Sequence, residues 1–218
     1  MPMEPGSRRP LKTRKSRWAR TLAAWLAARG VRPNLVSVSS VAAAAGAGAC
    51  LAFSLEKNGG TCAPLLVAAG LLMQIRLLCN MLDGLIAVEG GLGGPAGEIY
   101  NDLPDRVADS LIFVGAGLAL RALPWGVTLG WLAALLAMLT AYVRLLGGSV
   151  GLPQSFAGPM AKQHRMFVLT VGCLGSAVEA GLGRAPRVLY AALVLIVVGS
   201  AATAARRTVK IARLLRDR

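Results

Sequence analysis

NMLDGLIAVEGGLGGPAGEIYNDLPDRVADS, residues Asn80 to Ser110, holds six of the chain's ten acidic residues: Asp83, Glu89, Glu98, Asp102, Asp105 and Asp109. The surrounding sequence is apolar and basic. Of its 218 residues, 55% are hydrophobic and only 16% charged, and the mean hydropathy is +0.58, well above that of an ordinary soluble domain. Apolar stretches of about 20 residues, long enough to cross a bilayer as helices, lie near residues 35–55, 63–82, 106–123, 125–146, 166–182 and 187–205. The expected fold is therefore all-α, a six-helix transmembrane bundle with an N-terminal amphipathic interfacial helix. The expected division is a basic segment at 1–33, a six-span domain at 34–206 and a basic tail at 207–218. Little chain remains for a soluble domain, so any chemistry must occur within the bundle or at its face.

Charge placement orients the bundle. Nine Lys and Arg residues precede the first span and six follow the last, which by the positive-inside rule sets both termini in the cytoplasm. The acidic stretch then joins the second and third spans on that same side. The net charge of +14 flanks apolar spans instead of forming a stripe on a soluble module, so it points to anionic membrane lipid and not to nucleic acid. The bias toward Ala, Gly and Arg reads as a bacterial cytoplasmic membrane. Cys50, Cys62, Cys79 and Cys173 have no paired spacing and read as small apolar residues. The AGAC ending at Cys50 follows too long a basic segment to be a cleaved leader.

Residues 1–11 read as disordered. From Lys12 to Ala28 an apolar stripe of Trp18, Leu22, Trp25 and Leu26 lies beside Arg14, Lys15, Arg17 and Arg20, a pattern suited to a helix resting on anionic headgroups. A plain juxtamembrane charge cluster is the simpler alternative. Gly30 is expected to end this helix and Pro33 to open the first span. Gly147 to Pro159 reads as a loop, followed by Lys162, His164 and Arg165 at the membrane face. Those three fit topology markers or ligands for an anion equally well.

Helical spacing puts Arg76, Asn80 and Asp83 on one face at the end of the second span. Glu98, Asn101, Asp105 and Asp109 share a face if their segment is helical throughout. Pro104 either kinks that helix or sits in the first turn of one beginning near Asp102. Charged groups at membrane depth face a bundle interior or a wet cavity. Two acidic faces meeting there repel unless cations join them, and carboxylate with amide oxygens suits Mg²⁺ or Mn²⁺. The alternative is internal pairing, with Arg76 and Arg106 neutralising the acids. Gly84, Gly90, Gly91, Gly93, Gly94 and Gly97 leave the connection slim enough for a phosphate ligand to approach the backbone.

The stretch resembles the signature of the CDP-alcohol phosphotransferases, membrane enzymes of phospholipid synthesis: Asp, two residues, Asp-Gly, two residues, Ala-Arg, eight residues, Gly, three residues, Asp, three residues, Asp. Asp83, Gly84, Ala87, Gly97 and Asp105 fall in register, whereas Asn80, Val88 and Asn101 stand where the family has Asp, Arg and Asp. GVRPNLVSVSS before the first span and AYVRLLGGSVG closing the fourth also resemble the family layout, so the likeness covers nearly the whole chain. It implies a pair of divalent ions on the four Asp positions, with the last also acting as general base, and cytidine diphosphate beside the Asp-Gly turn. Carried onto this chain, the metal ligands are Asp83, Asn80, Asn101 and Asp105, with Glu98 or Asp109 restoring lost charge. Asp105 is the base, and Gly84, Ala87 and Gly97 line the nucleotide. Arg76 replaces the missing motif arginine, and Arg144, Lys162 and Arg165 bind an anionic acceptor. Arg144 also fits a snorkelling arginine at the interface. The implied reaction moves a phosphatidyl group from CDP-diacylglycerol to a small alcohol or polyol phosphate and releases CMP, in a homodimer. A non-catalytic lipid- or nucleotide-binding protein on the same fold and an ion-coupled transporter are the competing expectations, and the sequence carries no internal repeat that would favour the transporter.

Overall fold

The computed structural model describes residues 17–54, 61–89, 97–156 and 158–217. The expectations for residues 1–16, and for Gly90, Gly91, Gly93 and Gly94, lie outside the described residues. The regular elements are seven helices: α1 (Arg17–Ala28), α2 (Pro33–Ala52), α3 (Ala63–Glu89), α4 (Gly97–Ala119), α5 (Gly126–Ser149), α6 (Lys162–Gly181) and α7 (Arg187–Arg216). Most of each expected apolar stretch lies in one of α2 to α7.

Among the described residues, α2, α3, α5 and α7 are long and apolar enough to cross a membrane. α4 and α6 have 23 and 20 residues, but α4 carries Asp102, Asp105, Arg106 and Asp109 within its first thirteen residues and α6 carries Lys162, His164 and Arg165 in its first turn. Chain, composition and fold make this an integral membrane protein.

Successive contacts close α2 to α7 into a ring in the order α2, α3, α6, α7, α5, α4 and back to α2. α3 and α4 hardly touch each other directly, so the space between them is bridged by side chains. The common core takes Leu51 from α2, Leu66 and Met73 from α3, Phe113 from α4 and Leu169 from α6. Glycines let the backbones approach closely at two crossings. A Cβ on Gly115 of α4 would stand 2.4 Å from the Gly48 carbonyl oxygen of α2, and one on Gly130 of α5 would stand 2.6 Å from Gly117 Cα of α4. Lipid tails are as apolar as leucine, so close van der Waals contact is what such crossings gain.

Several boundaries differ from the sequence reading. α4 begins at Gly97, so Pro104 lies inside the helix and not in its first turn. α5 continues to Ser149 where a loop was expected from Gly147, and Gly147 packs on Ile211 of α7, where a Cβ would meet Ile211 Cδ1 at 3.0 Å. Gly30, at φ +74°, follows α1, and Pro33 opens α2, both as expected. The α1 stripe divides. Ala19 and Ala23 are buried against Met81, Leu82, Leu85 and Ile86 of α3, with Leu22 and Leu26 beside them, while Trp18 and Trp25 stay about half exposed. Arg29 stacks 3.8 Å above the Trp25 ring. One edge of the helix therefore serves the bundle, and the tryptophans face outward at the end of α3 that carries the acidic residues.

Gly115→Val and Gly130→Val are expected to destabilise the bundle by about 1–3 kcal/mol, the usual cost of overpacking. Thermal unfolding of the purified protein in detergent measures this. Gly181→Ala, with nothing within 4 Å of the added carbon, should leave the transition in place.

Candidate active site

Asp109 is the most deeply placed of the carboxylates, and both of its oxygens are taken by arginines from other helices. Arg76 Nη2 of α3 donates to Oδ1 at 2.7 Å, and Arg165 Nη2 of α6 donates to Oδ2 at 3.3 Å. All three side chains are nearly inaccessible. Arg76 Nη2 also reaches Asp105 Oδ1, at 3.2 Å, and the Asp105 carbonyl oxygen, at 3.3 Å. Arg165 Nη1 donates to the Thr140 hydroxyl at 3.1 Å and to the Met160 carbonyl at 3.2 Å, and Arg207 of α7 donates to the Thr140 carbonyl at 2.7 Å.

Asp105, one turn before Asp109, is surrounded. Asn80 Nδ2 and Arg76 share its Oδ1, Lys162 Nζ is in direct contact with Oδ2, and Arg106 stands 3.9 Å from Oδ2. Asp102 accepts from Arg144 at 2.6 Å and from Arg106 at 3.5 Å, and Arg144 faces the Phe156 ring at 5.4 Å. Asp83 differs from the rest. It is 4% exposed, its Oδ2 takes the Ser37 hydroxyl of α2 at 2.7 Å, and its Oδ1 has no partner among the described residues.

The structure thus brings together Arg76, Asn80, Asp83, Asp105, Asp109, Lys162 and Arg165, with Arg144 joined through Asp102. Gly84 and Ala87 occupy the following turn of α3. Gly97, Glu98 and Asn101 belong to the first turns of α4, but the Glu98 and Asn101 side chains lie outside the described residues. Two expectations take a different form. Asp109, expected to ligate metal, has both oxygens committed to guanidinium groups. Arg76, expected to reach phosphate, is fully buried with Nη2 spent on Asp105 and Asp109, leaving Nε and Nη1 without partners among the described residues. The alternative of internal pairing therefore describes Asp102, Asp105 and Asp109, with Lys162, Arg144 and Arg165 joining the arginines named for it.

Ser37, Thr140 and Arg207 were not singled out from sequence. Thr140 lies one turn before Arg144 on the mostly apolar α5, a spacing that puts the two on one face. Ser37 is one of three serines at the start of α2, and nothing local distinguishes it from Ser39 and Ser40.

No family model matches the chain. Phosphatidylinositol phosphate synthase of Mycobacteroides abscessus is 28% identical over 190 residues, which cover 85% of this chain and 80% of that protein. The fold is shared with the crystal structure of Mycobacterium tuberculosis phosphatidylinositol phosphate synthase with CDP-DAG bound, at a TM-score of 0.74 and 21% identity over 90% of this chain and 94% of the other. The same protein in complex with manganese and citrate superposes at a TM-score of 0.73, with 21% identity and 88% of each chain covered. Fold and site define a helical membrane protein with an ionic centre at one end of its bundle. The resemblance to the CDP-alcohol phosphotransferases carried by Asp83, Gly84, Ala87, Gly97 and Asp105 is borne out by these relatives.

A divalent cation of the kind in the manganese complex needs oxygen donors and accepts water and phosphate for the rest of its shell. Asp83 Oδ1 and the amide oxygen of Asn80 supply such donors. Among the described residues no three acidic, His or Cys side chains gather as a metal site. The donor set present fits one ion held by few protein ligands.

Breaking a buried ion pair from one side leaves a charge uncompensated, typically at about 3–5 kcal/mol. Asp109→Ala should therefore lower stability by about that amount, measured as thermal unfolding in detergent. Asp102→Ala, at the partly exposed end of the network, should cost much less.

Proposed function

We propose that the protein transfers a phosphatidyl group from CDP-diacylglycerol to a small alcohol or polyol phosphate with release of CMP. The observation that carries this reading is the hydrogen bond from motif residue Asn80 on α3 to motif residue Asp105 on α4, with Asp83 buried one turn along α3 from Asn80, in a chain similar along most of its length to phosphatidylinositol phosphate synthase. The cations suit the substrates. Arg106 and Arg144, each 16% exposed at the side chain, share Asp102 at the accessible edge, where an incoming phosphate finds fixed positive charge. Asp105 is held in place by Asn80 and Lys162 and is the group positioned to accept the proton of the attacking hydroxyl as the new P–O bond forms. A divalent ion bound at Asp83 would neutralise pyrophosphate oxygens and the charge on departing CMP.

The same reading takes α2 to α7 as six membrane spans, with both termini in the cytoplasm of a bacterial cell and α1 resting on anionic lipid through Trp18, Trp25 and its arginines. It takes the active form as a homodimer. The division into a basic segment at 1–33, a spanning domain at 34–206 and a tail at 207–218 belongs to it as well.

One observation favours a second reading. Asp105, the general base of the first, is saturated by Arg76, Asn80 and Lys162, which suits a protein that binds CDP-diacylglycerol without turning it over.

Purified protein given CDP-diacylglycerol, Mg²⁺ or Mn²⁺ and a panel of alcohols and polyol phosphates is expected to release CMP and form a new lipid identifiable by mass spectrometry. Asp83→Asn and Asp105→Asn should each reduce CMP release by at least about 100-fold, the lower end of the usual contribution of a positioned base. Rates equal to the parent protein's would refute the catalytic assignment. Binding of CDP-diacylglycerol with no CMP from any acceptor would establish the second reading.

A further inference from the structure

The carboxylates of the site are unequally supplied with positive charge. Among the described residues, Asp102, Asp105 and Asp109 are each paired with two or more of Arg76, Arg106, Arg144, Lys162 and Arg165. Among the described residues Asp83 makes no ion pair. Its side-chain bond, from the neutral Ser37 hydroxyl, is to Oδ2, and Oδ1 has no side-chain partner among those residues at 4% exposure. A buried ionised oxygen with no donor is costly, and such groups are matched by a hydrogen bond or a cation.

We infer that Lys162 is an internal cation standing where a second divalent ion would bind, and that the site takes a single divalent ion, at Asp83. Lys162 Nζ lies on Asp105 Oδ2 while Asn80 Nδ2 and Arg76 Nη2 occupy Oδ1, so neither oxygen is left for a metal. A divalent ion on Asp105 would have to displace the ammonium or sit against it. Asn80 completes the arrangement. Its amide donates to Asp105, whereas a carboxylate at that position would set two anions together and require an added cation between them. The Asn80 amide and the Lys162 ammonium are thus parts of one substitution, in which protein charge replaces metal charge at Asp105. At Asp83 no such replacement exists. Ser37 fixes Oδ2 and so turns Oδ1 to the remaining cation, a positioning role of the kind that tunes metal affinity from behind the ligand.

The inference rests on the proposed reaction only for the identity of the ion, and its test does not require turnover. Mn²⁺ binding to the purified full-length protein is measured by titration calorimetry and by loss of the free Mn²⁺ electron paramagnetic resonance signal. The expected result is one Mn²⁺ per chain, with affinity reduced at least about tenfold in Asp83→Asn, and by a smaller factor in Ser37→Ala that Ser37→Thr restores. The double variant Asn80→Asp with Lys162→Met is expected to bind a second Mn²⁺. Wild-type stoichiometry of two, or of zero, overturns the inference without any variant having to fold. So does a single site that survives Asp83→Asn unchanged. CMP release is followed on the same preparation. One ion with no CMP leaves this inference standing and removes the catalytic reading, and two ions with CMP release do the reverse.

Discussion

The double ion pair of Asp109 is the interaction on which the site end of the bundle depends. It joins α3 through Arg76, α4 through the aspartate itself and α6 through Arg165, at a depth where none of the three charges has access to water. Each alone would be strongly unfavourable in a low-dielectric interior, and only mutual pairing with good hydrogen-bond geometry makes their burial tolerable. Such a network gains less in net stability than its short distances suggest. What it does supply is specificity, because α3 and α4, which barely meet along their backbones, are held at one separation and register.

Two kinds of contact divide the bundle along its length. In the N-terminal half of α4 the space between α3 and α4, which hardly touch, is bridged by ionic side chains, with α6 contributing Lys162 and Arg165. Further along, at Gly48 with Gly115 and Gly117 with Gly130, glycines bring α2, α4 and α5 into backbone contact. The polar end is lined by Ser37 near the start of α2, Arg144 in the last turns of α5 and Arg207 in the C-terminal half of α7. Thr140 links these layers, its hydroxyl taking Arg165 and its carbonyl taking Arg207, so three helices are tied by one small residue.

The apolar runs made the helices legible in the sequence, because lipid leaves a spanning backbone few alternatives to α-helix. The shared face of Arg76, Asn80 and Asp83 was legible for the same reason, as was the alignment of Asp105 with Asp109. What periodicity does not carry is the partner of each charge. The same spacing that puts Asp105 and Asp109 on one face suits ligands of a metal and acceptors for arginine equally, and the choice depends on residues more than 25 positions away, such as Lys162 and Arg165. Ser37 illustrates the limit. Its link to Asp83 spans 46 residues of sequence and follows only from how α2 crosses α3. In α1 the spacing of Trp18, Leu22, Trp25 and Leu26 gave the helix and its apolar side, but the smaller Ala19 and Ala23 decided which edge meets α3.

The charge balance of the site bears on how it would treat a phosphorylated ligand. Among the described side chains, Asp83, Asp102, Asp105 and Asp109 stand with five cations, Arg76, Arg106, Arg144, Lys162 and Arg165, so this described set carries one more positive than negative charge. An anionic pyrophosphate is attracted to such a centre through fixed protein charges, which act on the bound ligand and the departing nucleotide alike. Uniform attraction of that kind strengthens binding without lowering the barrier to transfer. Acceleration requires charge that is better placed for the leaving group than for the resting diphosphate, and of the three buried carboxylates Asp83, Asp105 and Asp109, it is Asp83 that has an oxygen left to position it. The placement of such charge among the buried carboxylates therefore depends on the surroundings of one oxygen, set by a serine hydroxyl on α2 and a turn of α3.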